Sequence, residues 1–92
     1  MNKAARAHLD RIAAQGCALC LRLGYGPTPA MIHHVRTGQG MAQRASHFLA
    51  VPLCESCHQG PEGVHGDRSL MRVANVSEID LLADVIERMY QQ

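Results

Sequence analysis

Two cysteine pairs and a group of histidines carry whatever chemistry this chain does. Cys17-Ala18-Leu19-Cys20 and Cys54-Glu55-Ser56-Cys57 share one spacing, with residues 21–53 between them. A two-residue spacer lets both thiolates of a pair reach one ion at about 2.3 Å, and four thiolates make a closed tetrahedral zinc site with no position left for water. The other uses of four cysteines are two disulfides or a redox Cys-x-x-Cys pair. Taken alone, the block Cys54-Glu55-Ser56-Cys57-His58 is also a haem-attachment signature. Two equally spaced pairs favour one structural zinc held by Cys17, Cys20, Cys54 and Cys57. The haem reading needs an exported chain, and the N-terminal run Met1-Asn2-Lys3-Ala4-Ala5-Arg6-Ala7-His8 carries no apolar export signal.

The chain has six histidines. His8 falls on the first predicted helix and reads as a solvated side chain. His33, His34, His47, His58 and His65 all lie between the first predicted strand and a point shortly after the second cysteine pair. Imidazole ligates divalent metals and exchanges protons near neutral pH. Adjacent residues on a strand face opposite sides, so His33 and His34 divide two tasks, one toward a metal and one toward an attacking water. His58 follows Cys57, so the knuckle fixes its backbone, and a short helix packed on a hairpin turns it toward His33 and His34. His65 comes back toward the same place past Gly60-Pro61-Glu62-Gly63.

The elements that must position these residues are legible in outline. A helix is predicted over residues 2–15, with Ala5, Leu9, Ile12 and Ala13 on one face and Gly16 at its C-terminal end. The knuckle 17–20 follows, then the breaker-rich loop Gly24-Tyr25-Gly26-Pro27-Thr28-Pro29. A hairpin over residues 30–51 is read from Ala30–Val35 and Phe48–Val51, with Pro52 ending the second strand and a basic connector between the two. The second knuckle and a short helix occupy 54–60. The helix over 78–90 has Ser77 as N-cap, an apolar stripe of Ile79, Leu82, Ile86 and Met89, and the acids Glu78, Asp80 and Asp84 placed to suit the helix dipole; it reads as a packing helix. The expected class is α+β, one domain over 1–92.

Composition points the same way. There is no Trp, one Phe (Phe48) and two Tyr (Tyr25 and Tyr90). A chain of this size buries only about 60–65 % of its unfolded surface, so its core needs a staple. No stretch approaches the ~18 apolar residues of a membrane span. The expectation is a cytoplasmic protein with reduced thiols, which favours metal over disulfide. Formal net charge is +1. The segment from Met31 to Ser46 is basic and free of acids, whereas acidic residues gather in the C-terminal helix.

The run Ile32-His33-His34-Val35, then Ser46-His47-Phe48-Leu49-Ala50-Val51-Pro52-Leu53-Cys54, then Cys57-His58-Gln59-Gly60 and Gly63-Val64-His65-Gly66, resembles the HNH endonucleases (His-Me finger, ββα-metal, treble-clef-like fold). The nearest resemblance is to small phage or prophage proteins of the Ref-like, RecA-dependent nuclease group linked to recombination. It covers about Cys17 to Gly66 and leaves out both terminal helices. It implies a zinc-stabilised ββα-metal domain in which His34 is the general base, His33 and His58 are ligands of a catalytic metal, and His65 is a further ligand or a phosphate contact. The central Asn of the motif is missing, and His47 is the nearest polar residue to its place. The implied partners are DNA and a RecA-type recombinase filament.

The chemistry stands apart from the family name. Phosphodiester hydrolysis needs a water deprotonated near pH 7, which suits imidazole, and positive charge at the phosphate and the departing 3′-oxygen, which a divalent ion supplies. Histidine ligation suits Mg2+, Mn2+, Ni2+ or Zn2+. Arg36, Arg44, Arg68 and Arg72 are the candidates for holding backbone phosphates. The alternative is a non-catalytic four-cysteine zinc module that binds DNA or a protein partner. Such a module has no use for His33, His34 and His58 converging. The oligomeric state stays open.

Overall fold

The computed structural model describes residues 1–40 and 45–91. Helix α1 (Lys3–Ala13) begins where Asn2 caps it, its side-chain oxygen accepting the Ala5 amide at 2.8 Å. Ala5, Leu9 and Ile12 are buried, the helical repeat read from the sequence. The chain leaves α1 through Gly16 at φ +88, where an added Cβ would lie 3.0 Å from the Pro27 Cα and the Thr28 amide nitrogen. That close approach lets the Cys17 amide donate to the Thr28 carbonyl at 3.0 Å. Cys17 in turn caps a short helix α2 (Ala18–Arg22), its sulfur accepting the Cys20 amide at 3.4 Å. The first knuckle therefore continues into a helical turn that buries Ala18 and Leu19.

Strand β1 (Met31–His34) pairs antiparallel with β2 (Ala50–Leu53), in the register Met31–Leu53, Ile32–Pro52, His33–Val51 and His34–Ala50. The second strand thus sits two residues later than the expected 48–51 and runs through Pro52 instead of stopping there. The register explains why. The Val35 amide donates to the Leu49 carbonyl at 2.9 Å. Alternation then makes Ile32–Pro52 a non-hydrogen-bonded pair, and a proline there costs the ladder nothing. All four β2 residues are buried, and α1, α2 and the later helices α3 (Glu55–His58) and α5 (Glu78–Tyr90) pack against this strand. The protein is a small α+β fold wrapped around a two-stranded sheet.

Helix α4 (Ser69–Ala74) was not expected from the sequence. It is bounded by two non-glycine residues with left-handed backbone, Arg68 at φ 62 and Asn75 at φ 56. Helix α5 starts with a capping box, in which Ser77 and Asp80 exchange side-chain and backbone hydrogen bonds. Its inward face differs from the expected stripe. Glu78, Leu81, Leu82 and Val85 are buried, Met89 packs partly, and Ile79 and Ile86 stand 49 % and 44 % exposed. Two apolar stripes compete on this helix, and the one headed by Glu78 faces in, with its carboxylate hydrogen-bonded inside. No helix among the described residues is long and apolar enough to cross a membrane.

The rotation of α5 is testable by stability. Leu81→Ala removes a fully buried side chain and should cost about 2–5 kcal/mol. Ile86→Ala, at a half-exposed site, should cost less than about 1 kcal/mol. Urea unfolding of both variants with metal bound reads the difference, and equal losses would contradict this orientation.

Candidate metal centres

The four cysteines are free thiols, and their sulfurs lie within 4.8 Å of one another. The Cys20 sulfur is 3.8 Å from that of Cys54 and 3.8 Å from that of Cys57. A tetrahedron with metal–sulfur bonds of about 2.3 Å has sulfur–sulfur edges of about 3.8 Å, so the spacing is what a metal such as zinc requires. Cys17 and Cys57 are deeply buried. Burial, then the neighbouring thiols with Cys17 foremost, pushes the Cys57 thiol well up, and burial likewise raises Cys20. Burial also acts upward on Cys54, but hydrogen bonds from the Cys57 amide and the surrounding thiols outweigh it and leave Cys54 below its ordinary value. Crowded thiols in an apolar pocket resist ionisation; a divalent cation reverses that preference, because a coordinating thiol is deprotonated.

A second cluster lies beside the first. Ligand atoms of His33, His58 and His65 fall within 4.8 Å of one another, with His33 and His58 buried and His65 exposed. The Nε2 atoms of His58 and His65 are 3.0 Å apart. His33 arrives from β1 and His58 from the end of α3, directly behind Cys57. His65 is brought back by the loop after α3: the Val64 amide donates to the Cys57 carbonyl at 2.8 Å and the His65 amide to the His58 carbonyl at 2.9 Å. Gly63 allows this return, since an added Cβ there would lie 2.6 Å from the carbonyl oxygens of both Ser56 and Cys57. Burial, then the charges of His33 and His65, holds His58 below its ordinary value, and burial followed by His33 does the same to His65. Imidazoles kept neutral are the form that binds a metal. Nδ1 of His58 is buried without a hydrogen-bond partner among the described residues, so packing and the adjacent knuckle orient this ring.

His33 is held differently. Its Nε2 lies 2.6 Å from a carboxylate oxygen of Glu78, both side chains being 2 % exposed. The same carboxylate accepts the Arg36 amide at 3.1 Å and the Thr37 hydroxyl at 2.9 Å. Burial pushes the Glu78 carboxyl upward, but the hydrogen bonds from His33, Arg36 and Thr37 outweigh it and leave the group below its ordinary value. The sequence places Glu78 only as an acid that suits the dipole of the last helix, not at the histidine cluster. The available signal was its place at the head of Leu81, Leu82 and Val85, at helical spacing. An acid leading an apolar stripe is a buried acid that needs donors.

His34 occupies the opposite side of β1. Its Nε2 is 3.0 Å from Nδ1 of His47, and the two line a 360 Å3 pocket with Arg36 and Ala45. Burial, followed by the charges of His47 and His33, keeps His34 below its ordinary value. Arg36 therefore stands at the His34 pocket. Arg44 lies outside the described residues. Arg68 and Arg72 line a different, open cleft of 590 Å3 between α4 and the start of α5, bordered by Thr37 and Glu78. Both turn back on their own chain, Arg68 Nε donating to the Val64 carbonyl at 3.0 Å and Arg72 to that of Asp67. His8, expected to be solvated, is half-buried, with its ring 4.8 Å from that of Phe48.

With this geometry in hand, comparison with protein-family models, with curated proteins and with solved structures finds no match. Any function must be argued from the two clusters themselves.

The cysteine cluster makes a direct prediction. The protein should bind one zinc through sulfur, and Co2+ in its place should give the strong absorption of tetrahedral thiolate ligation. Cys57→Ser should lose that metal and unfold, because a structural zinc contributes on the order of 10 kcal/mol to domains of this size. Circular dichroism and metal analysis check both. Helicity unchanged after complete chelation would refute a structural role.

Proposed function

We propose that this chain is a metal-dependent HNH-type endonuclease that hydrolyses DNA phosphodiester bonds, of the phage or prophage kind linked to recombination. One observation carries the reading. Consecutive residues of β1 face two sides, His33 toward His58 and His65, and His34 toward His47 and Arg36. A ligand set and a proton acceptor on neighbouring residues is the division of labour that single-metal hydrolysis needs. The order of hairpin then short helix, with His58 on that helix, agrees with a ββα-metal core. The four-sulfur site agrees with a structural zinc beside it.

His33, His58 and His65 would hold the catalytic divalent ion, Mg2+, Mn2+, Ni2+ or Zn2+. When bound, that ion supplies positive charge at the scissile phosphate and the departing oxygen. The chain's own residues do the rest. His34, kept neutral, takes a proton from the attacking water. Its Nε2 is engaged with His47, which leaves Nδ1 as the accepting atom. His47 fixes the ring's orientation, the task that Asn performs in the family pattern. Arg36, on the same pocket, binds the phosphate that brings the bond into line. Attack on phosphorus breaks the bond to the 3′-oxygen, which leaves as a hydroxyl after taking a proton from solvent, and the other strand end keeps the phosphate.

Supercoiled plasmid incubated with each of these ions, with and without a RecA-type filament on the DNA, tests the reading. Wild type should nick, and His34→Ala should nick at least about 100-fold more slowly while keeping its fold. His47→Ala should fall between them. If wild type nicks under none of these conditions, the four-cysteine site belongs to a binding module for DNA or a protein, and the nuclease reading is wrong.

A further inference from the structure

The reach of α5 into the histidine cluster is not accounted for by packing. A carboxylate at 3 % exposure is costly unless its oxygens are satisfied, and Glu78 meets this with the His33 ring, the Arg36 amide and the Thr37 hydroxyl. Two of these donors anchor the chain as it leaves β1. The third is a member of the three-histidine cluster. Glu78 lies beyond Cys17–Gly66, the stretch that carries the resemblance, and on an element read as a packing helix.

We infer that Glu78 is a positioning residue for the histidine metal site, fixing the tautomer and ring orientation of His33 so that its Nδ1 is the atom presented to the metal. The inference rests on the reading of His33, His58 and His65 as a metal site and deepens it. The chemistry is simple. A carboxylate accepts but does not donate, so a neutral His33 facing it at 2.6 Å carries its proton on Nε2. The lone pair then resides on Nδ1. Carboxylates behind metal-bound histidines commonly fix tautomer and ring orientation in this way. A further consequence is that seating of α5 and competence of the site are one event. The helix that buries Leu81, Leu82 and Val85 on the sheet also delivers the carboxylate.

Glu78→Leu removes the acceptor while keeping a side chain of similar volume. In Glu78→Gln the amide oxygen takes the place that accepts from His33 and the Arg36 amide, and the NH2 group faces the Thr37 hydroxyl, so the His33 tautomer is kept. Thr37→Val is the control: it deletes a different hydrogen bond to the same carboxylate and leaves His33 untouched. Each protein is loaded with zinc at the cysteines and then titrated with Co2+, followed by calorimetry and visible absorption. Wild type should bind one further Co2+. His58→Ala should not, Glu78→Leu should bind about 10–100-fold more weakly, and Glu78→Gln and Thr37→Val should stay near wild type.

The 15N shifts of His33 in the wild type, free of metal at the histidines, report the tautomer with no variant needed. An Nε2–H ring supports the inference and an Nδ1–H ring overturns it, even if Glu78→Leu fails to fold. Equal Co2+ affinity in Glu78→Leu and wild type overturns the role of Glu78 alone. No Co2+ uptake by wild type beyond the cysteines overturns the metal-site reading beneath it.

Discussion

Four sulfurs drawn to within 4.8 Å of one another constrain everything else in this chain. They come from two knuckles that flank the hairpin, so closing the cluster closes the hairpin's ends and places α2 and α3 against β2. The core they border is thin, with Ile12, Leu19, Leu53 and Leu81 among its largest fully buried side chains. Apolar area of that order in a chain of 92 residues leaves little net stability once chain entropy is counted. A metal such as zinc at the sulfurs would supply what the core lacks. It would also fix the backbone at Cys57, and with it the ring of His58 one residue on.

The histidine cluster depends on a second constraint, the cost of burying charge. Its three rings come from a strand, a helix end and a loop, with no shared element to hold them in register. His58 takes its place from the knuckle. His65 takes its place from two backbone hydrogen bonds made possible by the side-chain-free Gly63. His33 alone has a charged partner. Glu78 thereby joins the C-terminal helix to a site otherwise built from the middle of the chain, and it does so where water is excluded and a hydrogen bond to a carboxylate is strong.

Much of this was legible in the residues, and the failures have physical causes. Equal Cys-x-x-Cys spacing was enough to bring the four thiols together, because two short knuckles sharing one ion leave few geometries. The alternation of β1 separated His33 from His34 correctly, since a strand has only two faces. Proline was misread in β2 because its effect depends on register, and the pairing of Ile32 with Pro52 needs no donor from it. Helix α4 was missed because Arg68 and Asn75 bound it with left-handed backbone and no glycine or proline marks either end. The face of α5 was misjudged because Ile79 and Ile86 fit a helical repeat as well as Leu81 and Val85 do. Hydrophobicity alone could not choose between them, and the face that is buried carries a carboxylate whose partners lie over forty residues earlier in the chain.

That last point links fold to function. Either stripe buries comparable apolar side chains, but the one that faces in also buries a carboxylate, whereas in water a first-turn acid gains from the helix dipole at no desolvation cost. Such local conflicts are expected where selection acts on a site rather than on stability. The buried carboxylate is satisfied at His33, a member of the histidine cluster, and at the residues just after β1, where the Arg36 amide and the Thr37 hydroxyl complete its shell.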